Sequence, residues 1–318
     1  MKGFAYRINP ERSERVDIAA ALDPIPELVW VHLFTIDDDA RSWLADHAKL
    51  SPQTVEALTA PETRPRCDQW EGGALVNLRG RTDQEEVVGT DLLASLRIWA
   101  THGRIFSVTR TQLHALDAIE ACVAADKIHD PGDLIAEFAA AITSDLDPHV
   151  AELGDRLDMC EESLEGTRIF ELRRQVTRVR STAIGYRRFL GPQRDALEKL
   201  AGLPGDWLAA DDRVHLSAAA DRAARMAEEL EAIRERSAVV HDALTDMRAE
   251  QLDQRGLILS VAALIFLPLT FLTGLYGMNV EGLRGAKNPH AFDIITGVCL
   301  LIAVAITVFF VVRRWTSR

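Results

Sequence analysis

The sequence predicts an α/β domain that gives way to a long helix and ends in two membrane-crossing helices. Three observations carry this reading. From Leu257 to Tyr276 no side chain is charged, a run of about 20 residues that suffices to cross roughly 30 Å of hydrocarbon. A second apolar run extends from Phe292 to Val312, interrupted only by Asp293 at its outer edge. Strand-like segments are confined to the chain before Thr111, and helical patterns take over after it.

Taken in order, β-branched and aromatic runs predict strands at Phe4–Ile8, Leu28–Thr35, Ala74–Leu78, Leu96–Trp99 and Arg104–Thr109. Helical spacing marks Asp38–His47 and Ser51–Leu58, with Asp38 and Ser51 as N-caps. Pro61, Pro65 and Gly72-Gly73 mark turns. Two helical segments of opposite charge follow, acidic from Asp133 to Glu165 and arginine-rich from Thr167 to Arg194. Gly166 between them predicts an antiparallel hairpin with complementary faces. A last helix begins near Ala209, after the Gly202–Gly205 turn. Its apolar positions Met226, Leu230, Ile233, Val240, Leu244 and Met247 fall at spacings of 4, 3, 7, 4 and 3, a heptad seam with Ser237 in the skipped slot. Carried to Tyr276 at 1.5 Å per residue, it would be about 100 Å long. Such a helix needs partners, and its entry into the membrane predicts several copies bundled around an axis.

At 318 residues with a net charge of -12, the composition argues against nucleic acid as a partner and suits cations. The four cysteines are scattered without a CxxC pair, which argues against disulfides or a zinc knuckle and leaves no ordinary metal-ligand cluster. There is no Walker loop, nucleophile elbow or HExxH, so no enzyme and no cofactor is expected. MKGFAYRINPERSER lacks an apolar core, so no cleaved signal peptide is expected. Arg248 and Arg255 precede the first span and Arg313, Arg314 and Arg318 follow the second, which places both termini in the cytoplasm and the intervening loop outside. The expected segments are 1–208 for the α/β domain with its acidic and basic helices, 209–256 for the stalk and 257–276 for the first span. The loop then takes 277–291, the second span 292–312 and a basic tail 313–318.

Polar groups inside a span call for an explanation, because lipid offers them no hydrogen bond. The first span carries Ser260, Thr270 and Thr273, and Thr273 with Gly277 makes a small-xxx-small spacing. Pro268 removes one backbone donor and would bend or loosen the helix. From these residues alone, helix packing and pore lining account equally well for the pattern. Two helices of one copy cannot enclose a pore, so conduction would require the oligomer.

The run FLPLTFLTGLYGMN at 266–279 resembles the CorA superfamily of divalent-cation transporters, whose signature is YGMN at the end of the first membrane helix. A lone GMN is a weak match, but one placed at a helix end between a long charged helix and a second span is highly specific. The likeness leans toward the bacterial zinc-transporter branch called ZntB through LDQRGLILSVAALIFLPLTFLTGLYGMNVEGL, NPHAF at Asn288–Phe292, WVHL at Trp30–Leu33, ETRPR at Glu62–Arg66 and LVNLRG at Leu75–Gly80. Met278 departs from it: that branch is expected to carry a β-branched aliphatic residue there, whereas magnesium-type members carry Met.

The resemblance implies a CorA-like homopentamer in the bacterial plasma membrane, with a cytoplasmic α/β funnel and a stalk continuous with the pore-lining first span. Carried over residue by residue, Gly277, Met278 and Asn279 would form the outer mouth and Thr270 the next polar ring. Leu267 and Leu259 would be hydrophobic constrictions, Asp253 the cytoplasmic mouth, and Asp242 a cation-sensing position. His241, Glu281 and His290 are further candidate metal or proton positions. The expected cargo is zinc, with magnesium, cobalt or nickel as alternatives, because the first span offers oxygen donors and no His or Cys. A membrane-anchored ligand sensor is the rival from another class, and it leaves the GMN signature unexplained.

Overall fold

The computed structural model describes residues 2–9, 12–22, 28–34, 37–60, 64–82, 93–165, 169–278 and 289–316. They fall into two compact units, Met1–Asp242 and Ala243–Arg318.

The first unit is built on a seven-stranded sheet. Its strands are β1 (Gly3–Asn9), β2 (Arg12–Val16), β3 (Leu28–Leu33), β4 (Arg66–Trp70), β5 (Gly73–Gly80), β6 (Ala94–Thr101) and β7 (Arg104–Thr109), in the order β2-β1-β3-β7-β6-β5-β4. Neighbours are antiparallel except β3 and β7. All six residues of β3 are buried, as expected of a central strand covered on both faces. Val29, Val31 and Leu33 pack with Ala40, Trp43 and Leu44 of α1 (Asp38–Asp46) and Leu58 of α2 (Pro52–Thr59). The alternate residue Trp30 meets Phe138 of α4 (Pro131–Glu162) edge-on, with ring centroids 5.5 Å apart. His32 lies on that same face with no exposure. Its two ring nitrogens reach the Ser107 and Thr109 hydroxyls at 2.8 and 3.2 Å, and burial holds its pKa down at about 3.

The five expected strands are present. Two more, β2 and β4, occupy the sheet edges, and a further helix, α3 (Leu116–Ala124), follows the sheet. The edge strands read RSERV and RCDQW, largely exposed and polar, and so carry no alternation for a sequence pattern to detect. The cap of α1 is Asp37 rather than Asp38: the Asp37 carboxylate accepts the Ala40 amide at 2.7 Å. Ser51 does cap α2, accepting the Thr54 amide at 3.2 Å.

The helical half pairs α4 with α5 (Ile169–Ala201) in antiparallel fashion, the Cys160 thiol lying 3.7 Å from the Gln175 side-chain oxygen. Gly166 lies outside the described residues. The opposite charges of these helices meet on a third partner, α6 (Ala210–Tyr276). Arg236 of α6 donates to Asp158 at 2.5 Å and Glu161 at 2.6 Å on α4, while Arg187 of α5 pairs with Glu231 of α6 at 2.9 Å. Ile233 reaches within 3.9 Å of the place a Cβ would take on Gly154, so α4 and α6 lie close here.

This arrangement corrects the reading of the heptad seam. Met226, Leu230, Ile233, Ser237 and Val240 are each at most 4% exposed within a single copy. The seam of α6 is therefore consumed by its own chain, and the need for further copies does not rest on it. Truncating Ile233 to Ala should lower folding stability by about 3 kcal/mol, the usual cost of a buried Ile→Ala cavity. Thermal unfolding of the full chain should register the loss equally at low and high protein concentration, because the seam closes within one molecule.

Candidate ion-conduction face

In the second unit α6 is accompanied by α7 (Ala291–Thr316). Along the membrane part of α6 the half-covered positions are Val261, Ala262, Ile265, Pro268, Leu269, Leu272 and Leu275, and along α7 they are Ala291, Ile295, Cys299, Ile302, Ala303, Ile306 and Phe310. Both sets recur at three- and four-residue spacing, the signature of one helical face each, and they mark the seam where the helices pair. A groove of about 550 Å³ opens at its outer end between Thr273, Tyr276 and Gly277 on one side and Ala291, Phe292 and Ile295 on the other. Helical geometry runs uninterrupted past Pro268 to Tyr276.

The sequence-predicted pore positions lie on the other side of α6. At 3.6 residues per turn, Leu259, Leu267, Thr270 and Gly277 fall within a quarter-turn of one another and roughly opposite the α7 seam. Leu259 is 72% and Leu267 69% exposed, so nothing in their own chain covers them. Gly277 closes the helix, its amide donating to the Thr273 carbonyl at 2.9 Å, and a Cβ there would approach that carbonyl to 3.0 Å. Met278 follows it, exposed, and Asn279 and Glu281 lie outside the described residues. Asp253 is exposed, about a third of a turn from Leu259.

The hydroxyls of this span are spent in one direction only. Thr270 donates to the Phe266 carbonyl at 2.8 Å, Thr273 to Leu269 at 3.0 Å and Ser260 to Gly256 at 2.9 Å. Each proton is satisfied by its own helix, which makes the residue tolerable in lipid and leaves the oxygen lone pairs facing outward. A hydrated cation turns its water hydrogens outward, so an array of acceptors is the right polarity to meet it.

The remaining candidates are dispersed. His241 stands against Arg173 of α5, 3.5 Å from Nε2 to Nη2, so any cation binding there competes with a guanidinium. Asp242 beside it is exposed. His290 precedes α7 with Nδ1 4.0 Å from the Asp293 carboxylate, both groups open to solvent.

The structure also assembles a group that the sequence conceals. Asp130 and Asp133, at the start of α4, and Asp212, in the first turn of α6, bring their carboxylate oxygens within 4.8 Å of one another. Asp130 accepts the Asp133 amide at 2.9 Å and Asp212 the Ala209 amide at 2.7 Å, so each caps a helix. Gly132 lies against this group: a Cβ there would sit 1.9 Å from an Asp212 carboxylate oxygen, so that carboxylate would have to shift. Burial, with Asp130, Asp133 and Asp211 pushing the same way, raises the Asp212 pKa to about 6 against the opposing Ala209 amide.

An α/β domain whose last helix runs on into the first of two apolar spans, with an exposed face through Leu259, Leu267 and Thr270 leading to a GMN, defines a class of two-span metal-ion transporters. The chain belongs to the CorA family: residues 26–314 match the family described as CorA-like Mg2+ transporter protein. It is similar to the divalent cation transporter CmaX of Pseudomonas aeruginosa, 34% identical over 93% of this chain and 89% of that protein. It is also similar to the zinc transport protein ZntB of Klebsiella pneumoniae, 30% identical over 87% of this chain and 84% of that protein. The solved structure of full-length CmaX superposes with a TM-score of 0.77 at 30% identity, covering 98% of this chain and 97% of that one. The CorA magnesium transporter of Methanocaldococcus jannaschii shares the fold, with a TM-score of 0.80 at 18% identity, covering 98% and 97%. The protein is thus a divalent-cation transporter, with its N-terminal domain in the cytoplasm and its two apolar helices in the inner membrane.

The acidic junction yields a pH prediction. Because the folded pKa of Asp212 lies above its ordinary 3.8, the folded state holds the proton more tightly than the unfolded chain. The stabilising contribution is therefore full below the ordinary value and is lost as pH rises through about 6. Relative to Asp212→Asn, which keeps an acceptor for the Ala209 amide but cannot ionise, the wild type should gain melting temperature between pH 7 and pH 5. A constant difference between the two proteins across that interval would remove the assignment.

Proposed function

We propose that five copies surround a pore lined by the exposed face of α6, and that the pore passes a hydrated divalent cation inward, zinc first. The carrying observation is the face itself. Leu259, Leu267 and Thr270 line up opposite the α7 seam and are exposed, and Gly277 ends the same face at the rim of the outer groove. In this reading Leu259 and Leu267 form dry constrictions that gate by dewetting, and Thr270 offers lone pairs to the ion's water shell. Asn279, with Gly277 and Met278, forms the outer mouth, where amide oxygens replace part of the second hydration layer. Asp253 stands at the cytoplasmic entrance and Asp242 in the stalk as a cation-responsive position.

Zinc is supported by the similarity to ZntB proteins. A second reading, magnesium or cobalt, is favoured by two observations: the face carries oxygen donors only, and Met278 is the residue the magnesium-type signature carries. Oxygen ligands and retained water are magnesium's preference, and zinc passes such a face only while hydrated. From Leu257 to Leu275 the span holds no titratable side chain, so any proton coupling uses Glu281, His290, Asp293 or the cytoplasmic domain.

Flux into liposomes, measured for zinc, magnesium, cobalt and nickel with and without a pH gradient, tests the reading. Robust magnesium conductance with no zinc conductance would move the protein to the magnesium class. Thr270→Val, which keeps the shape and removes the oxygen, should lower flux by about tenfold, the worth of one hydrogen bond in the path. Asn279→Ala should abolish selectivity while the oligomer survives on size exclusion; unchanged ion preference in that variant would remove the outer-mouth role.

A further inference from the structure

The three long helices of the first unit share their burial unevenly. α6 covers one side of both α4 and α5, through Arg236 with Asp158 and Glu161 on α4 and through Glu231 with Arg187 on α5. α4 and α5 cover each other along a second side, at Cys160 and Gln175. Each is left with an outer flank turned away from both partners. On α4 this flank holds Ala151, Asp155 and Glu162, and on α5 it holds Phe170, Arg174, Thr177, Ser181, Ile184 and Arg188.

Two properties of these flanks are unusual for solvated helix faces. The α5 flank holds large apolar side chains in water, Phe170 at 75% and Ile184 at 47% exposure. The flanks also carry opposite charge, carboxylates on α4 and guanidinium groups on α5. The contact between Cys160 and Gln175 sets the relative height of the antiparallel pair. By that register Glu162 stands at the level of Arg174, Asp155 at the level of Ser181, and Ala151 at the level of Ile184. Rotation about an axis running along the bundle leaves height unchanged, so in a ring each residue on one flank faces its equal on the other. The two flanks belong to different sides of one copy, which makes the contact head-to-tail, the kind that builds a ring when the rotation closes.

We propose that the α5 flank of one copy docks on the α4 flank of the next, with Arg174 against Glu162, the Ser181 hydroxyl against Asp155, and Ile184 against Ala151. This second contact between copies is separate from the membrane face and rests on the oligomeric reading given under Proposed function. It supplies the lateral partner that the α6 seam, filled within its own chain, does not provide.

The test is Asp155→Cys combined with Ser181→Cys in the full-length protein in detergent, oxidised or treated with a short bismaleimide and run on a denaturing gel. A ladder of covalent multimers is expected for the pair and none for either single variant. Native mass spectrometry of the untreated protein runs alongside. An intact oligomer that gives no ladder overturns the flank contact and leaves the pore reading standing. A protein that is monomeric before cross-linking removes both.

Discussion

A helix has only one circumference, and α6 spends half of it on its own chain. From Met226 to Val240 the apolar stripe is buried against α4 and α5, and Arg236 and Glu231 fasten the same side with ion pairs to both. What α6 can offer to other copies is therefore its opposite side and whatever its partners leave uncovered. The division also decides which residues act by structure and which are free to meet an ion. Leu230 and Ile233 hold a domain together; Leu259 and Leu267 hold nothing in their own chain and remain exposed.

The membrane portion obeys a second rule, that lipid supplies no hydrogen-bond partner. Three hydroxyls meet it by donating to the carbonyl four residues back, and the result is an acceptor surface without an unsatisfied donor. The hydroxyls fulfil the structural demand and keep acceptor lone pairs available. That is why the same side chains are compatible with both helix packing and pore lining. The side of α6 turned to α7 and the side carrying Thr270 are different ones.

Much of this was legible in the residues. Apolar length identified both spans, and β-branched and aromatic runs located five strands. Where the pattern failed, the cause was physical. β2 and β4 are edge strands with polar, exposed faces, so they lack the alternation that burial imposes elsewhere. Asp37 and Asp38 are adjacent caps of equal chemistry, and only backbone geometry distinguishes them. The heptad was read correctly as a buried stripe and assigned to the wrong partner, because periodicity reports that a face is covered and not by whom. The cluster of Asp130, Asp133 and Asp212 was out of reach, Asp212 lying 79 residues beyond Asp133 and joining the other two only where two helix starts converge.

By itself the sequence determined what short-range chemistry can encode: two spans by their length, a helix by its period, and an acidic chain suited to cations. Only the tertiary structure decided which faces are spent and which are left over. It buried the α6 seam within one copy, turned Val261 to Leu275 toward α7, and left Leu259, Thr270 and the outer flanks of α4 and α5 exposed. Local sequence sets what a face is made of. The chain's long-range return on itself sets which way that face points.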